Sequence, residues 1–480
     1  MTLSDHKTKI VMTMGPASSS PEIIPQLLQA GVNIVRLNFS HGEFEQHAEN
    51  IKRLREAERV TGKRIAIMAD LPGPKMRIGK IDTESFELPA GASFTLTTEE
   101  IIGNIHRVSV SFKALAQVVK PGDKLFLNDG LVQLQVETVA GTEVACKVLV
   151  GGELRSRKGL NLPGINLGIS AFTEHDRACL EFALQHGVDA VSQSFVERAA
   201  DIQAVRAAAK TIGKDVFIIA KIERAGALKH FDEILDAADG IMVARGDLGV
   251  EVPIEEMAVI QKRLVARCNH AGKPVIIATQ MLESMVTSRL PTRAEATDVA
   301  NAILDGADCV MLSAESAIGK FPREAIAMLG KIAAASEASR VFPPLRDVKD
   351  EPREQKPFKT AEAIASVVEN ALHTVPFSIV FVPCRSGDTA RHISRYKLPS
   401  WIVAFSNKTS VSQGLRFSYG VQPVEAPEIS EKFSDFIVQW IAKEQIKGDA
   451  VLLVSGPSET HPDENYSLKF IRITPRPAQM

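Results

Sequence analysis

The sequence predicts an α/β chain: a (β/α)8 TIM barrel with a small inserted β-barrel lid domain and a C-terminal doubly wound α/β domain. Three observations predict it. Apolar runs of strand length alternate with amphipathic stretches eight times. Just past residue 72 this alternation gives way to short period-two runs and turn pairs, and it resumes near 169. A stretch dense in proline and charge, Phe342–Lys359, then sets off a last α/β region.

In order, Lys9–Met14, Asn33–Phe39 and Ile65–Ala69 read as the first three barrel strands. Ser20 and Pro21 suit a helix start, Gly31 a helix end, and Glu43 to about Val60 repeats apolar residues at helical spacing. Residues 73–168 form the inserted module, with hinges at Pro72–Pro74 and Pro163–Gly168; its runs are separated by Pro-Gly-Asp, Asn-Asp-Gly and Gly-Gly turns. The barrel resumes over 169–345 with strands at Val188–Phe195, Val216–Ala220, Ile241–Ala244, Pro274–Ala278 and Ala307–Leu312, and it closes with a helix over Pro322–Ala338. The C-terminal domain, 346–480, alternates strands (Ser378–Val382, Trp401–Ala404, Ala450–Val454) with helices (Thr360–His373, Thr389–Tyr396, Ser430–Lys443).

The 480 residues are 45% hydrophobic and 24% charged, and 56 basic against 58 acidic residues leave a formal net charge of -2. That balance asks for neither nucleic acid nor an anionic membrane surface. The five cysteines show no CxxC spacing and are odd in number, which fits free thiols in a reducing compartment. The N-terminus lacks an apolar signal core and no apolar run reaches about 18 residues, so a cytoplasmic protein is expected.

The most informative stretch is Val216–Val250. Two strand-like runs each end abruptly in charge: Lys221, Glu223 and Arg224 after the first, Arg245 and Asp247 after the second. One crossover helix over about Ala225–Ala238 joins them. Ligands bind at the carboxyl edge of parallel strands. Glu223 and Asp247 are suited to share a hard cation such as Mg2+, and Lys221 to hold a phosphoryl group as a point charge. The alternative is a strand-end salt-bridge network.

Across nearly its whole length the chain resembles pyruvate kinases. The resemblance rests on TKIVMTMGPAS (Thr8–Ser18), NIVRLNFSHG (Asn33–Gly42), DLPGPKMR (Asp70–Arg77), GGELRSRKGLNLPG (Gly151–Gly164), AKIERAGAL (Ala220–Leu228), VARGDLGVE (Val243–Glu251), ATQMLESM (Ala278–Met285) and the run Pro291–Pro322, in family order. It implies transfer of a phosphoryl group from phosphoenolpyruvate to ADP, giving ATP, followed by protonation of the enolate to pyruvate. By resemblance, Glu223 and Asp247 hold Mg2+ (or Mn2+), Lys221 stabilises the transferring group, and Arg36 binds the substrate phosphate. Gly246 and Asp247 offer backbone N–H groups to the substrate carboxylate, and Thr279 stands beside the enolate carbon. Ser313 and Glu315 either join a proton relay with Thr279 or form a strand-end hydrogen-bond cluster. His41, Arg77 and Lys158 match nucleotide-side positions, with Lys158 on the closing module. The loop Arg385, Ser386, Gly387, Asp388, Thr389 resembles one that holds a phosphorylated allosteric effector, and the family assembles as homotetramers.

One position departs from many members. They need K+ and read GPE where this chain reads GPK. The side chains of the monovalent-cation site survive as Asn38, Ser40 and Asp70, but Lys75 is placed to supply the charge itself, so K+ is expected to be dispensable. Two rivals are a Mg2+-dependent aldolase or lyase on the same barrel, and a sugar-phosphate sensor that uses only the C-terminal site.

Overall fold

The computed structural model describes residues 3–340, 360–375, 377–426, 433–446, 448, 450–456 and 466–473. The proline-rich linker and the start of the helix expected from Ser430 lie outside these residues.

Eight parallel strands close into a barrel: Lys9–Thr13, Ile34–Asn38, Ala66–Leu71, Ala190–Gln193, Phe217–Ile222, Gly240–Ala244, Val275–Ala278 and Cys309–Leu312. Each pairs with its sequence neighbours, and the last closes on the first with Lys9 opposite Cys309 and Met12 opposite Leu312. The strands are apolar on both faces because both are covered. One face packs outward on the helices through Ile10, Val35, Ile67, Ile218 and Val243. The alternate residues Val11, Ile34, Met68, Ile219, Met242, Ile276 and Met311 fill the interior. Burying each such side chain contributes about 1.5–3 kcal/mol.

The inserted module has its own core around Phe94, Leu96, Leu125, Leu134 and Val148. Its six-stranded sheet is mainly antiparallel, and a two-stranded ribbon pairs Ser85–Leu88 with Gly152–Arg155. Single bridges from Arg77 to Gly159 and from Ile78 to Val110 join the sheet's two edges and curl it round that core.

The C-terminal region holds a five-stranded sheet in which Ile379–Pro383, Trp401–Ser406, Val421–Glu425 and Ala450–Ser455 run parallel and Ser467–Arg472 pairs antiparallel at one edge. Two of these strands, Val421–Glu425 and Ser467–Arg472, are absent from the sequence-based assignment: the first carries Pro423 and the second mixes charge with Phe470, so neither shows a clean strand pattern. Phe417, from this region, enters the base of the barrel interior and stacks on Phe217 at 5.2 Å.

The expected crossover helix over 225–238 is two helices, Ala225–Lys229 and Phe231–Ala237, broken at His230. The break lets Phe231, Ile234 and Leu235 reach the core together. Ser20 does not cap the first helix with its hydroxyl; its carbonyl accepts the Ile23 and Ile24 N–H groups and the helix begins at Ile23.

Candidate active site

Strand alternation builds the site. Two residues beyond an apolar residue of the barrel interior stands a polar one: Thr13 after Val11, Arg36 after Ile34, Asp70 after Met68, Ser192 after Ala190, Lys221 after Ile219, Ser313 after Met311. The period of two sends all of them to the same interior face, one rung above the hydrophobic filling.

Asp70 is the hub, with only 2% of its surface exposed. Arg36 donates to its Oδ2 through Nε at 2.8 Å and also through Nη2, while Arg36 Nη1 donates to Thr13 Oγ1 at 3.1 Å. Ser192 Oγ donates to Asp70 Oδ1 at 2.6 Å, and Lys221 Nζ lies 3.2 Å from the same oxygen. Lys221 also donates to Ser194 Oγ at 2.6 Å and pairs with Glu223 Oε1 at 2.8 Å. Glu223 is buried, and its Oε2 accepts the Phe195 N–H at 2.9 Å. Burial alone would push the Asp70 carboxyl up, but Arg36, Lys221 and the Ser192 hydroxyl hold it well below the carboxylate range. Burial likewise works against the Lys221 ammonium, yet Asp70 and Glu223 raise it above the usual lysine value, so it stays charged.

Asp247, in the short helix Arg245–Glu251, behaves differently. Crowding by the protein and the Glu223 carboxylate, with a smaller push from Asp129 of the inserted module, raise it to about 6. Two mutually repelling oxygen donors at a cleft mouth fit a hard divalent cation, which relieves the repulsion. Among the described residues no three His, Cys, Asp or Glu side chains converge. Mg2+ commonly takes one or two carboxylates, with phosphate and water completing its shell.

Across the mouth, Thr279 follows the seventh strand with φ 70°, and Gln280 follows with φ 54°. Thr279 Oγ1 accepts the Gly246 N–H at 2.7 Å and donates to the Ala278 carbonyl at 2.7 Å. This approach explains the glycine: a Cβ on Gly246 would stand 3.3 Å from Thr279 Oγ1. The Gly246 N–H, read from sequence as a donor to a substrate carboxylate, is therefore engaged by Thr279. Ser313 Oγ is buried without a hydrogen-bond partner among the described residues. Glu315 is fully buried and accepts the Leu282 and Ser313 N–H groups at 3.0 and 2.7 Å, which makes it a fastener of two strand-end loops.

The remaining sequence-derived positions surround this centre. His41, Lys75 and Arg77 are exposed; burial, Lys75, Arg77 and Arg36 together lower the His41 pKa, so the four form one basic rim. Lys75 makes no ion pair among the described residues. Burial and the Lys221 charge depress its ammonium, and Asp70 partly offsets them, which places Lys75 near the hub. Asp70 is not left unpaired, contrary to the premise of the monovalent-cation expectation; Arg36 and Lys221 already compensate it. Asn38 Oδ1 accepts the Ser40 N–H at 3.1 Å. Lys158 sits in the module beside Arg77, since the Ile78 N–H donates to the Lys158 carbonyl at 2.9 Å. Both hinges are tied to the barrel. The Gly73 N–H donates to buried Asp176 at 2.9 Å, and Arg224 donates to the carbonyls of Leu162 and Ile165 at 3.3 and 2.7 Å. Gly73 has φ +66°, and a Cβ there would meet the Phe195 ring at 2.9 Å. In the C-terminal region Arg385, Ser386 and Asp388 are exposed, Gly387 has φ 85°, and a helix starts at Asp388 rather than Thr389.

The family model for the pyruvate kinase barrel domain matches residues 5–326, and that for the pyruvate kinase alpha/beta domain matches residues 362–467. The chain belongs to the pyruvate kinase family. A pyruvate kinase of Thermococcus litoralis is 47% identical over 95% of this chain and 96% of its own. One of Geobacillus stearothermophilus is 40% identical over 94% of this chain and 78% of its own. The crystal structure of a pyruvate kinase from Cryptosporidium parvum superposes with a TM-score of 0.90 at 34% identity, covering 98% of this chain and 97% of that one. The chain is thus a phosphotransferase with pyruvate kinase function. Pyruvate kinases generally use Mg2+ and bind phosphoenolpyruvate and ADP.

Ser192, Ser194, Asp298 and the clamp made by Arg245 carry no assigned role in the sequence-based site. Ser192 and Ser194 stand two apart at a strand end, a spacing that alternation sends to one face, and that signal was available. Asp298 sits mid-helix, and nothing local marks it.

Proposed function

We propose that the strand-end network is the reaction centre for phosphoryl transfer from phosphoenolpyruvate to ADP. The observation that carries this reading is Lys221: a buried ammonium kept charged by two carboxylates and a hydroxyl at the barrel mouth. Phosphoryl transfer needs positioning and stabilisation of oxygen charge more than covalent chemistry. In this reading Lys221 faces the transferring group and Arg36 grips the substrate phosphate with its fork. Asp70 holds both cations in place and is itself no acid or base, since it stays ionised. Glu223 and Asp247 hold Mg2+ or Mn2+, which when bound supplies positive charge to the phosphoryl and enolate oxygens. His41, Arg77 and Lys158 receive the nucleotide phosphates as the inserted module closes on its two hinges. Thr279 orders the water that protonates the enolate, with the unpartnered Ser313 hydroxyl as the next station of the relay.

The test is pyruvate formation from phosphoenolpyruvate with Mg2+, with and without ADP. Strict dependence on ADP with equimolar ATP is expected. Phosphoenolpyruvate left unconsumed in the presence of ADP would return the aldolase or lyase reading, and pyruvate release without ADP would mean hydrolysis of the phosphate ester instead of transfer.

The regulatory reading is finer. A phosphorylated metabolite held by Arg385, Ser386, Gly387, Asp388 and Thr389 activates the enzyme, in a cytoplasmic homotetramer. The exposed Arg385 and the helix start support it. Rate against phosphoenolpyruvate, with and without sugar phosphates and nucleotides, tests it in the wild type and in Arg385→Ala. If no such compound shifts the curve, or if the variant responds like wild type, the effector site is elsewhere or absent. Sedimentation at assay concentration tests the tetramer.

A further inference from the structure

We propose that Arg245, anchored by Asp298, is a positioning residue that holds the Thr279 hydroxyl in register for the protonation half of the reaction. The proposal rests on the role given to Thr279 above.

Thr279 and Gln280 are consecutive non-glycine residues in the left-handed region. A β-branched residue there is a genuine outlier, and such a conformation persists only where its surroundings over-determine it. On the carbonyl side of the turn those surroundings are one guanidinium. Arg245 Nη2 donates to the Thr279 carbonyl at 2.8 Å and lies 3.4 Å from the Gln280 carbonyl. Its Nη1 donates to Asp298 Oδ1 at 2.8 Å and lies 3.4 Å from Gln261 Oε1. The Arg245 side chain is largely buried, and Asp298 reaches it from the separate helix Arg293–Leu304.

These donors are spent on protein groups, so Arg245 acts through Thr279 rather than on the substrate. Arg245 also opens the short helix whose next residue, Gly246, donates to Thr279 Oγ1, and whose third residue is Asp247. One side chain therefore fixes the turn from its carbonyl side while its own backbone neighbour fixes the hydroxyl. Lysine cannot replace it, because a single ammonium on a flexible stem does not span the carbonyl pair and Asp298 with fixed geometry.

In the protonation step the enolate's C2=C3 electron pair takes a proton from water. The C3–H bond forms, a water O–H bond breaks, the C2 oxyanion becomes the ketone, and hydroxide departs to solvent. Misplacing the hydroxyl that orders this water harms C3 protonation more than phosphoryl transfer, which is served by Lys221 and Arg36.

The experiment compares two rates and one stereochemical outcome in Arg245→Lys and Asp298→Asn. The rates are ATP formation from phosphoenolpyruvate and ADP, and deuterium exchange into the pyruvate methyl group with Mg2+ and ATP present. The outcome is the face of C3 that is protonated, read from isotopically labelled phosphoenolpyruvate. Methyl exchange is expected to fall about tenfold or more beyond any fall in ATP formation, with loss of facial selectivity. Gln280→Gly added to Arg245→Lys should restore part of the exchange, because glycine adopts the left-handed conformation without strain. Parallel loss of both rates with retained selectivity would overturn the proposal. Should Arg245→Lys not fold, Asp298→Asn carries the same comparison. Thr279→Val separates the two layers. If it exchanges like wild type, the proton role of Thr279 fails and the proposal with it. If it is impaired while both Arg245→Lys and Asp298→Asn are normal, only the positioning fails.

Discussion

Lys221, at the carboxyl end of the barrel, and Lys9, at its amino end, are both buried, yet their ammonium groups meet opposite surroundings. Lys221 stands between Asp70 and Glu223, with Ser194 accepting a further hydrogen bond. Lys9 has the Val421 carbonyl at 2.8 Å and the Trp401 ring at 5.0 Å, with no carboxylate in direct contact among the described residues. Burial accordingly lowers the Lys9 ammonium to about 8, whereas Lys221 is raised. A third buried lysine, Lys397, reaches from the C-terminal region to Asp308, 2.6 Å away, beside the Phe417 plug. The upper network balances two cations, Arg36 and Lys221, against Asp70 and Glu223 within one cluster. The lower contacts join two regions through single charges, ring contacts and apolar filling. The comparison separates the candidate active site from a domain fastening, although both consist of buried ions.

Substitutions can break that distinction. Lys397→Met leaves Asp308 buried with its charge uncompensated, and removing one partner of a buried pair costs about 3–5 kcal/mol. A large drop in the denaturant midpoint with nearly unchanged kcat is expected; a selective loss of kcat would place the lower contacts in the mechanism. Lys221→Met should do the reverse. Arg36 and Ser192 still hold Asp70 and the Phe195 N–H still holds Glu223, so the fold persists with some loss of stability, while kcat falls by ~3 kcal/mol or more in barrier terms. A variant with near wild-type kcat removes Lys221 from the chemistry.

Lys75→Glu sharpens the comparison at the rim of the upper network. The proposal is that wild type is fully active without K+, with Lys75 supplying the charge, and that the variant acquires a K+ requirement. Reversing a charge near the substrate phosphate is worth roughly 1–4 kcal/mol at close range, so a clear stimulation by K+ is expected in the variant alone. Assays with a bulky organic cation in place of K+ check it, and strong K+ activation of the wild type would falsify it.

A further effect concerns pH at the base. Lys9 falls from an ordinary 10.5 to about 8 on folding, so between these values the unfolded chain binds more protons. Stability from this group therefore rises with pH from about 8 to about 10.5, because the penalty for a buried charge disappears. The difference in unfolding free energy between wild type and Lys9→Met, followed over that window, should grow in favour of wild type as pH rises. A flat difference would show that burial does not depress the Lys9 ammonium and that it keeps its charge in the folded state across this window.

Much of the site was legible before folding because it follows from local rules. Arg36, Asp70, Lys221 and Glu223 each end an apolar run, and parallel strands present such ends at one edge. The interior layer one rung below them is likewise a matter of alternation. The sequence by itself determined the barrel, the inserted module, the C-terminal α/β region and the family's motif residues, since all depend on periodicity, turn chemistry and short segments. Tertiary structure alone decided which of those charges meet. Arg36, Ser192 and Lys221 converge on Asp70 from three strands, so a carboxylate that looked unpaired is compensated. Glu315 turns inward to two backbone N–H groups and becomes a fastener. The helix break at His230 depends on how far Phe231 must reach into the core. Asp298 finds Arg245 across 53 residues, and Phe417 finds the barrel base from another region. Such pairings are set by closure of the barrel and docking of its neighbours, for which no window of sequence carries the geometry.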